Sequence, residues 1–126
     1  MFSGIEHIAI ASPDPARLAQ WYVEHLDFVV NFRPAGSRTV FVKAPNGSML
    51  EIIESNTPTQ NAGMRTPGLR HLAILAADFP AAYHRLTTRG VHFLTEPETS
   101  VGNTVAFFSD CDGNLLHLLH RETPLP

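Results

Sequence analysis

The sequence predicts an α+β fold made of two tandem copies of one βαβββ unit, and three observations carry that reading. A short apolar segment with a histidine occurs twice, as Ile5-Glu6-His7-Ile8-Ala9-Ile10 and Leu69-Arg70-His71-Leu72-Ala73-Ile74, 64 residues apart. Each is followed by a helix start, at Asp14-Pro15 and at Asp78-Phe79-Pro80. Each half then ends on a glycine turn and an apolar run: Asn46-Gly47 before Met49-Leu50-Glu51-Ile52-Ile53-Glu54, and Asp112-Gly113 before Leu115-Leu116-His117-Leu118-Leu119-His120. Self-similarity at two anchors with nearly the same spacing marks a duplicated supersecondary unit.

The elements follow in order within each half. Residues 5–11 and 69–76 are short, apolar and partly β-branched, which suits strands. Aspartate followed by proline in the first turn combines an N-cap with a residue that needs no helical N–H. Leu18, Trp21, Tyr22 and Leu26 recur at helical spacing in the first half, and Phe79, Ala82, Tyr83 and Leu86 in the second, where Gly90 is a natural stop. Three strands are then expected per half, near 28–33, 38–44 and 49–55, and near 91–95, 103–109 and 115–121. Asn46-Gly47 is the favoured two-residue hairpin turn, with Asp112-Gly113 in the equivalent place. The chain of 126 residues thus reads as one domain, with repeats near 5–55 and 69–121 and a Thr-, Pro-, Asn- and Gly-rich linker near 56–68.

Composition narrows the function classes. A 44% hydrophobic and 17% charged chain is that of a globular protein with a sizeable core. The net charge of −3, with lysines and arginines scattered, gives no footprint for nucleic acid or an anionic membrane. The apolar runs are strand-sized, too short to span a bilayer. The single cysteine, Cys111, excludes an intrachain disulfide. The N-terminus also lacks the pattern of a signal peptide, so the cytoplasm is the expected compartment.

Strand alternation then places chemistry-bearing side chains. If Ile8 and Ile10, with Leu72 and Ile74, cover the helices, His7 and His71 face the other way, beside the small Ala9 and Ala73. If Leu50 and Ile52, with Leu116 and Leu118, are also on the helix side, Glu51 and His117 share the face of the histidines. Each half offers two metal-ligand side chains at matching positions. Burying four such groups in apolar strands is costly unless they are paired, and a shared cation pairs them. A polar network in which Glu51 accepts hydrogen bonds from the histidines is the alternative. A two-residue turn at Asn46-Gly47 sets Val42 opposite Glu51, which assigns Val40 and Arg38 to the site face. The second half then presents Phe108, Ala106 and Thr104. Phe108 is a candidate to pack on a substrate, and Arg38 to pair with an anionic one. His120 falls on the opposite strand face from His117, and Cys111 sits in a turn.

The paired βαβββ units, the histidine in each first strand and the closing Asp-Cys-Asp-Gly-Asn-Leu-Leu-His of residues 110–117 resemble the vicinal-oxygen-chelate superfamily of glyoxalases, bleomycin-resistance proteins and dioxygenases. Trp21-Tyr22-Val23-Glu24-His25-Leu26-Asp27-Phe28 is similar to that superfamily's aromatic helix followed by leucine, glycine and an aromatic, with Asp27 in the glycine's place. The resemblance runs from about Ile5 to Arg121 and implies an open, barrel-like mixed sheet with helices outside, around one divalent metal per chain, in a homodimer. The implied ligands are His7, Glu51, His71 and His117. Where His117 stands, the superfamily's glyoxalases, epimerases and extradiol dioxygenases typically carry glutamate. Glu51 is therefore the one carboxylate left for base catalysis.

Nitrogen and oxygen donors suit Zn, Fe(II), Ni, Co or Mn. The leading expectation is a lyase- or isomerase-like enzyme that chelates a small oxygenated substrate and stabilises an enolate. An extradiol Fe(II) dioxygenase is the second, and a metal-free, drug-binding protein the third.

Overall fold

The computed structural model describes residues 1–57 and 63–126, so the middle of the expected linker lies outside the described residues. The chain divides into two compact units, Met1–Gln60 and Asn61–Pro126. In the first, β1 (His7–Ser12) leads into α1 (Pro15–Leu26) and then β2 (Val29–Phe32), β3 (Val40–Lys43) and β4 (Met49–Glu54). In the second, β5 (Leu72–Leu75) precedes α2 (Phe79–Thr88), β6 (Glu98–Ser100), β7 (Asn103–Ser109) and β8 (Leu115–Arg121). Each unit forms an open four-stranded sheet of equivalent topology, β1-β4-β3-β2 and β5-β8-β7-β6. The first strand runs parallel to the last, and the remaining pairs are antiparallel.

Both helices begin where the Asp-Pro signal places them. The Asp14 carboxylate accepts from the backbone N–H of Arg17 at 3.1 Å, and that of Asp78 from Ala81 at 3.0 Å. Each cap satisfies an otherwise orphaned N–H and is worth about 1 kcal/mol. At the end of α1, Asp27 occupies the left-handed region with φ of 59°, the conformation for which glycine is the usual cap.

The core of the first unit holds Leu18, Tyr22, Val40, Val42, Leu50 and Ile52, none more than 5% exposed. The second buries Phe79, Leu86, Ala106, Phe108, Leu116 and Leu118. Burying a large aliphatic or aromatic side chain contributes roughly 1.5–3 kcal/mol against chain entropy. The even-numbered residues of β4 and β8 therefore face the helices, as alternation predicts.

Two expectations are corrected. Residues 91–95 do not form a strand. Phe93 makes an isolated bridge to Phe108, and the Thr95 hydroxyl accepts from the backbone N–H of Phe107 at 2.9 Å. The strand that pairs with β7 is β6, beyond Pro97, which has no N–H to give a ladder.

The second correction concerns the hairpins. Asn46-Gly47 is not a two-residue turn: Ala44 N–H donates to Ser48 O and Gly47 N–H to Ala44 O, both at 2.9 Å. The loop is Pro45-Asn46-Gly47, with Gly47 at φ of 92°. The β7–β8 loop is likewise Cys111-Asp112-Gly113, closed by Asp110 N–H to Asn114 O at 3.1 Å, with Gly113 at φ of 87°. A three-residue loop with glycine in the left-handed position is the next commonest hairpin connection. The buried Asp110 carboxylate clamps the second loop, accepting from the N–H of Asp112 and of Asn114, each at 3.0 Å.

Candidate metal centre

One extra loop residue reverses which face of the preceding strand meets a given partner. Val42 pairs with Leu50 and Val40 with Ile52, both in the core, so the residue opposite Glu51 is Phe41. Phe107, not Phe108, stands opposite His117. The expectation that Phe108 lines the site is thus overturned: it is fully buried and packs on Phe93 at 5.2 Å between ring centroids. Arg38 shares this correction, because its assignment to the site face followed from the same register. It precedes β3 and forms an exposed ion pair with Glu54 at 3.0 Å.

On the face of the first sheet away from α1, Glu51 lies between Ala9 of β1 and Phe41 of β3. His7 Nε2 is 3.1 Å from Glu51 Oε2, and its Nδ1 is 2.9 Å from Glu6 Oε1. The His7 ring stands edge-on to Phe41 at 5.6 Å. The hydrogen bond to Glu6 raises the His7 pKa, desolvation opposes it, and the negative charge of Glu51 adds to the rise.

The equivalent place in the second unit holds two imidazoles. His71, directly before β5, and His117 have ring centroids 4.5 Å apart, tilted by 45°. Phe107 packs on both, 5.8 Å from His71 and 5.0 Å from His117. Burial lowers the His117 pKa, and the charges of His71 and Arg121 lower it further. The ring is consequently neutral at physiological pH, the form that ligates a metal.

The four predicted ligands thus occur as two pairs, one in each unit. Among the described residues, no group of three or more His, Cys, Asp or Glu side chains is gathered for a metal ion. The donor chemistry of the pairs nonetheless fits a divalent cation. A nitrogen and a carboxylate oxygen converge in the first unit. In the second, His117 Nδ1 is buried without a hydrogen-bond partner. Leaving such a group unsatisfied costs about 1–3 kcal/mol, so the ring gains from any partner that polarises or orients it.

His120 Nδ1 lies 2.9 Å from Ala76 O, tying β8 to the chain beyond β5. Cys111 is half-buried in the hairpin loop. Phe41, Phe107 and Glu6 were missed as site residues. The first two depend on loop length, whereas Glu6 was legible as the sequence neighbour of His7.

With this geometry in hand, comparison with known proteins is decisive about ancestry. The description of the glyoxalase/bleomycin resistance protein/dioxygenase superfamily matches residues 4–118. The chain belongs to that superfamily. An uncharacterized protein of Shewanella frigidimarina is 31% identical over 134 residues, covering 100% of this chain and 99% of its own. A glyoxylase/bleomycin resistance protein/dioxygenase domain from Frankia sp. EAN1pec superposes with a TM-score of 0.78 at 24% identity, over 99% of this chain and 96% of that one. TnmS3, an antibiotic binding protein from Streptomyces sp. CB03234, superposes with a TM-score of 0.76 at 25% identity, over 96% and 98%. By its own description the superfamily spans enzymes and resistance proteins, so membership fixes the scaffold and leaves the reaction to the site. Among the described residues, no helix is long and apolar enough to cross a membrane.

Proposed function

We propose that this chain is a metal-dependent enzyme of lyase or isomerase type, acting on a small oxygenated substrate that it chelates and carries through an enolate. His7, Glu51, His71 and His117 are the ligand set. The observation that supports this reading best is the pair of ligand-type side chains at equivalent strand positions in both units, with His7 Nε2 and Glu51 Oε2 already 3.1 Å apart. A divalent ion would supply Lewis acidity toward a substrate oxygen. Three neutral imidazoles and one carboxylate leave such a site a net charge of about +1, which favours a developing enolate more than a site with two carboxylates does.

The protein's own groups take the other roles. Glu51 is the single carboxylate of the set, so it is the residue to which acceptance of a substrate proton is assigned. Ala9 beside it leaves room for a ligand, while Phe41 and Phe107 pack against the histidine rings of the two pairs.

A second reading, small-molecule binding without a metal, is favoured by one contact: the His7–Glu51 hydrogen bond satisfies both groups without a metal. The similarity to TnmS3, an antibiotic binding protein, supports the small-molecule-binding part of this reading.

Metal analysis of protein purified without chelator separates the readings. About one zinc or nickel per chain supports the lyase or isomerase, iron supports an extradiol dioxygenase, and no metal supports the binding protein. We also propose a homodimer, since small soluble proteins commonly assemble about a two-fold axis. Light scattering at micromolar concentration should give twice the 13.9 kDa chain mass, and a monomer overturns this.

A further inference from the structure

We propose that Glu6 is a positioning residue for the metal site: it holds the proton of His7 on Nδ1 and so leaves Nε2 free to face a cation. The inference rests on the metal-site reading above and on an asymmetry between the two units.

His7 stands between two carboxylates, Glu6 Oε1 2.9 Å from Nδ1 and Glu51 Oε2 3.1 Å from Nε2. A neutral imidazole has one N–H, and the two ring nitrogens are not equivalent. In the metal-free protein the carboxylates compete for that proton. With the proton on Nε2 it points at Glu51, which blocks the lone pair a metal needs. With the proton on Nδ1 it is donated to Glu6, and Nε2 presents its lone pair beside Glu51 Oε2. Glu6 therefore favours the tautomer that ligates. A carboxylate accepting the distal N–H of a ligating histidine also orients the ring and raises its basicity.

The second unit lacks this device. Arg70 occupies the place of Glu6 one residue before His71, and its guanidinium turns to the backbone, donating to Gly68 O at 3.3 Å and Gly63 O at 3.2 Å. The two first-strand histidines are thus equivalent in sequence position and differ in how their rings are held. Both rings stand edge-on to a phenylalanine, but His71 leans on a second imidazole, His117, whereas His7 lies between two carboxylates.

The loss of such an outer partner typically weakens metal binding 10–100-fold. The Glu6 side chain is 74% exposed, which places the expected effect at the lower end. The test uses Glu6→Ala and Glu6→Gln with two readouts. One is the affinity for Zn(II) and Fe(II), measured in competition with a chromophoric chelator. The other is the ¹⁵N–¹H correlation pattern of the His7 ring in metal-free protein, at a pH where the ring is neutral.

Glu6→Ala should weaken metal binding by about 10-fold and move the His7 proton from Nδ1 toward Nε2, with the His71 pattern unchanged. Glu6→Gln, which retains a carbonyl acceptor, should recover the wild-type tautomer and most of the affinity. If either the affinity or the tautomer is unmoved in Glu6→Ala, the positioning role is refuted. A wild type that takes up neither metal refutes the metal-site reading itself. A wild type that binds metal while Glu6→Ala matches it refutes only the role of Glu6.

Discussion

Replacing two adjacent phenylalanines one at a time tests the register on which the site depends. Phe108 is fully buried against Phe93, on the helix side of β7 opposite Leu116 of β8. Truncation to alanine leaves a cavity that a packed core fills only partly, and such changes cost about 3–5 kcal/mol. Phe107 is half-buried, with one side against His71 and His117. Its truncation removes less buried surface, and we expect a loss of roughly 1 kcal/mol at about 25 cal/mol per Å². With a urea m-value on the order of 1.5 kcal/mol/M, Phe108→Ala should lower the unfolding midpoint by about 2–3 M and Phe107→Ala by less than about 1 M. Urea titration followed by circular dichroism gives both values. Ligand and metal affinity should respond in the opposite order, falling in Phe107→Ala and holding in whatever fraction of Phe108→Ala remains folded. Equal midpoints, or a larger loss for Phe107→Ala, would show that the strand is placed one residue away from the register described.

Three other outcomes are expected. Val101 is a β-branched residue at φ of 49° and 96% exposed, in the Val101-Gly102 turn between β6 and β7; Val101→Asn should therefore stabilise by about 1 kcal/mol, seen as a rise in Tm, and an unchanged or lower Tm would contradict it. In chelator-treated protein, the lowered His117 pKa means that the unfolded chain binds its proton first. Stability from this group is present above the unfolded value of about 6.5 and lost as pH falls through the lower folded value, so His117→Gln should flatten the acid side of the stability profile, and parallel profiles would refute the assignment. The double variant His7→Ala, His71→Ala should remain folded by circular dichroism and lose its metal, and retention of full metal content would overturn the ligand set.

How much of this was legible in the sequence depended on the range of the interactions involved. The helix starts were readable because an aspartate cap and a following proline act within one turn, and Asp14 and Asp78 cap where expected. Which face His7, Glu51 and His117 occupy was readable because alternation is counted along a single strand. The Phe41–Glu51 and Phe107–His117 pairings were not, because an Asn-Gly or Asp-Gly pair serves both two- and three-residue loops and the choice is made by cross-strand packing. Burying Val40 and Val42 against α1 favours the longer loop; the shorter would place Phe41 in the core instead. The shift of β6 beyond Pro97 was hidden for a related reason. Val91, Phe93 and Thr95 alternate like a strand, yet the segment meets β7 through an isolated Phe93–Phe108 bridge, a Leu94 N–H to Phe107 O bond and the Thr95 hydroxyl rather than a ladder.

The three-residue hairpin loops carry a consequence for how such a chain can change. Pro45-Asn46-Gly47 and Cys111-Asp112-Gly113 share only their final glycine, so after duplication the spelling of the loop drifted while its length did not. Substitutions there alter a turn, but a single-residue insertion or deletion exchanges inside for outside along a whole strand. Viable length variants should therefore arise in steps of two. A library built on this scaffold that varies the loops by even increments will retain its core, and one that varies them by odd increments will be enriched in unfolded chains.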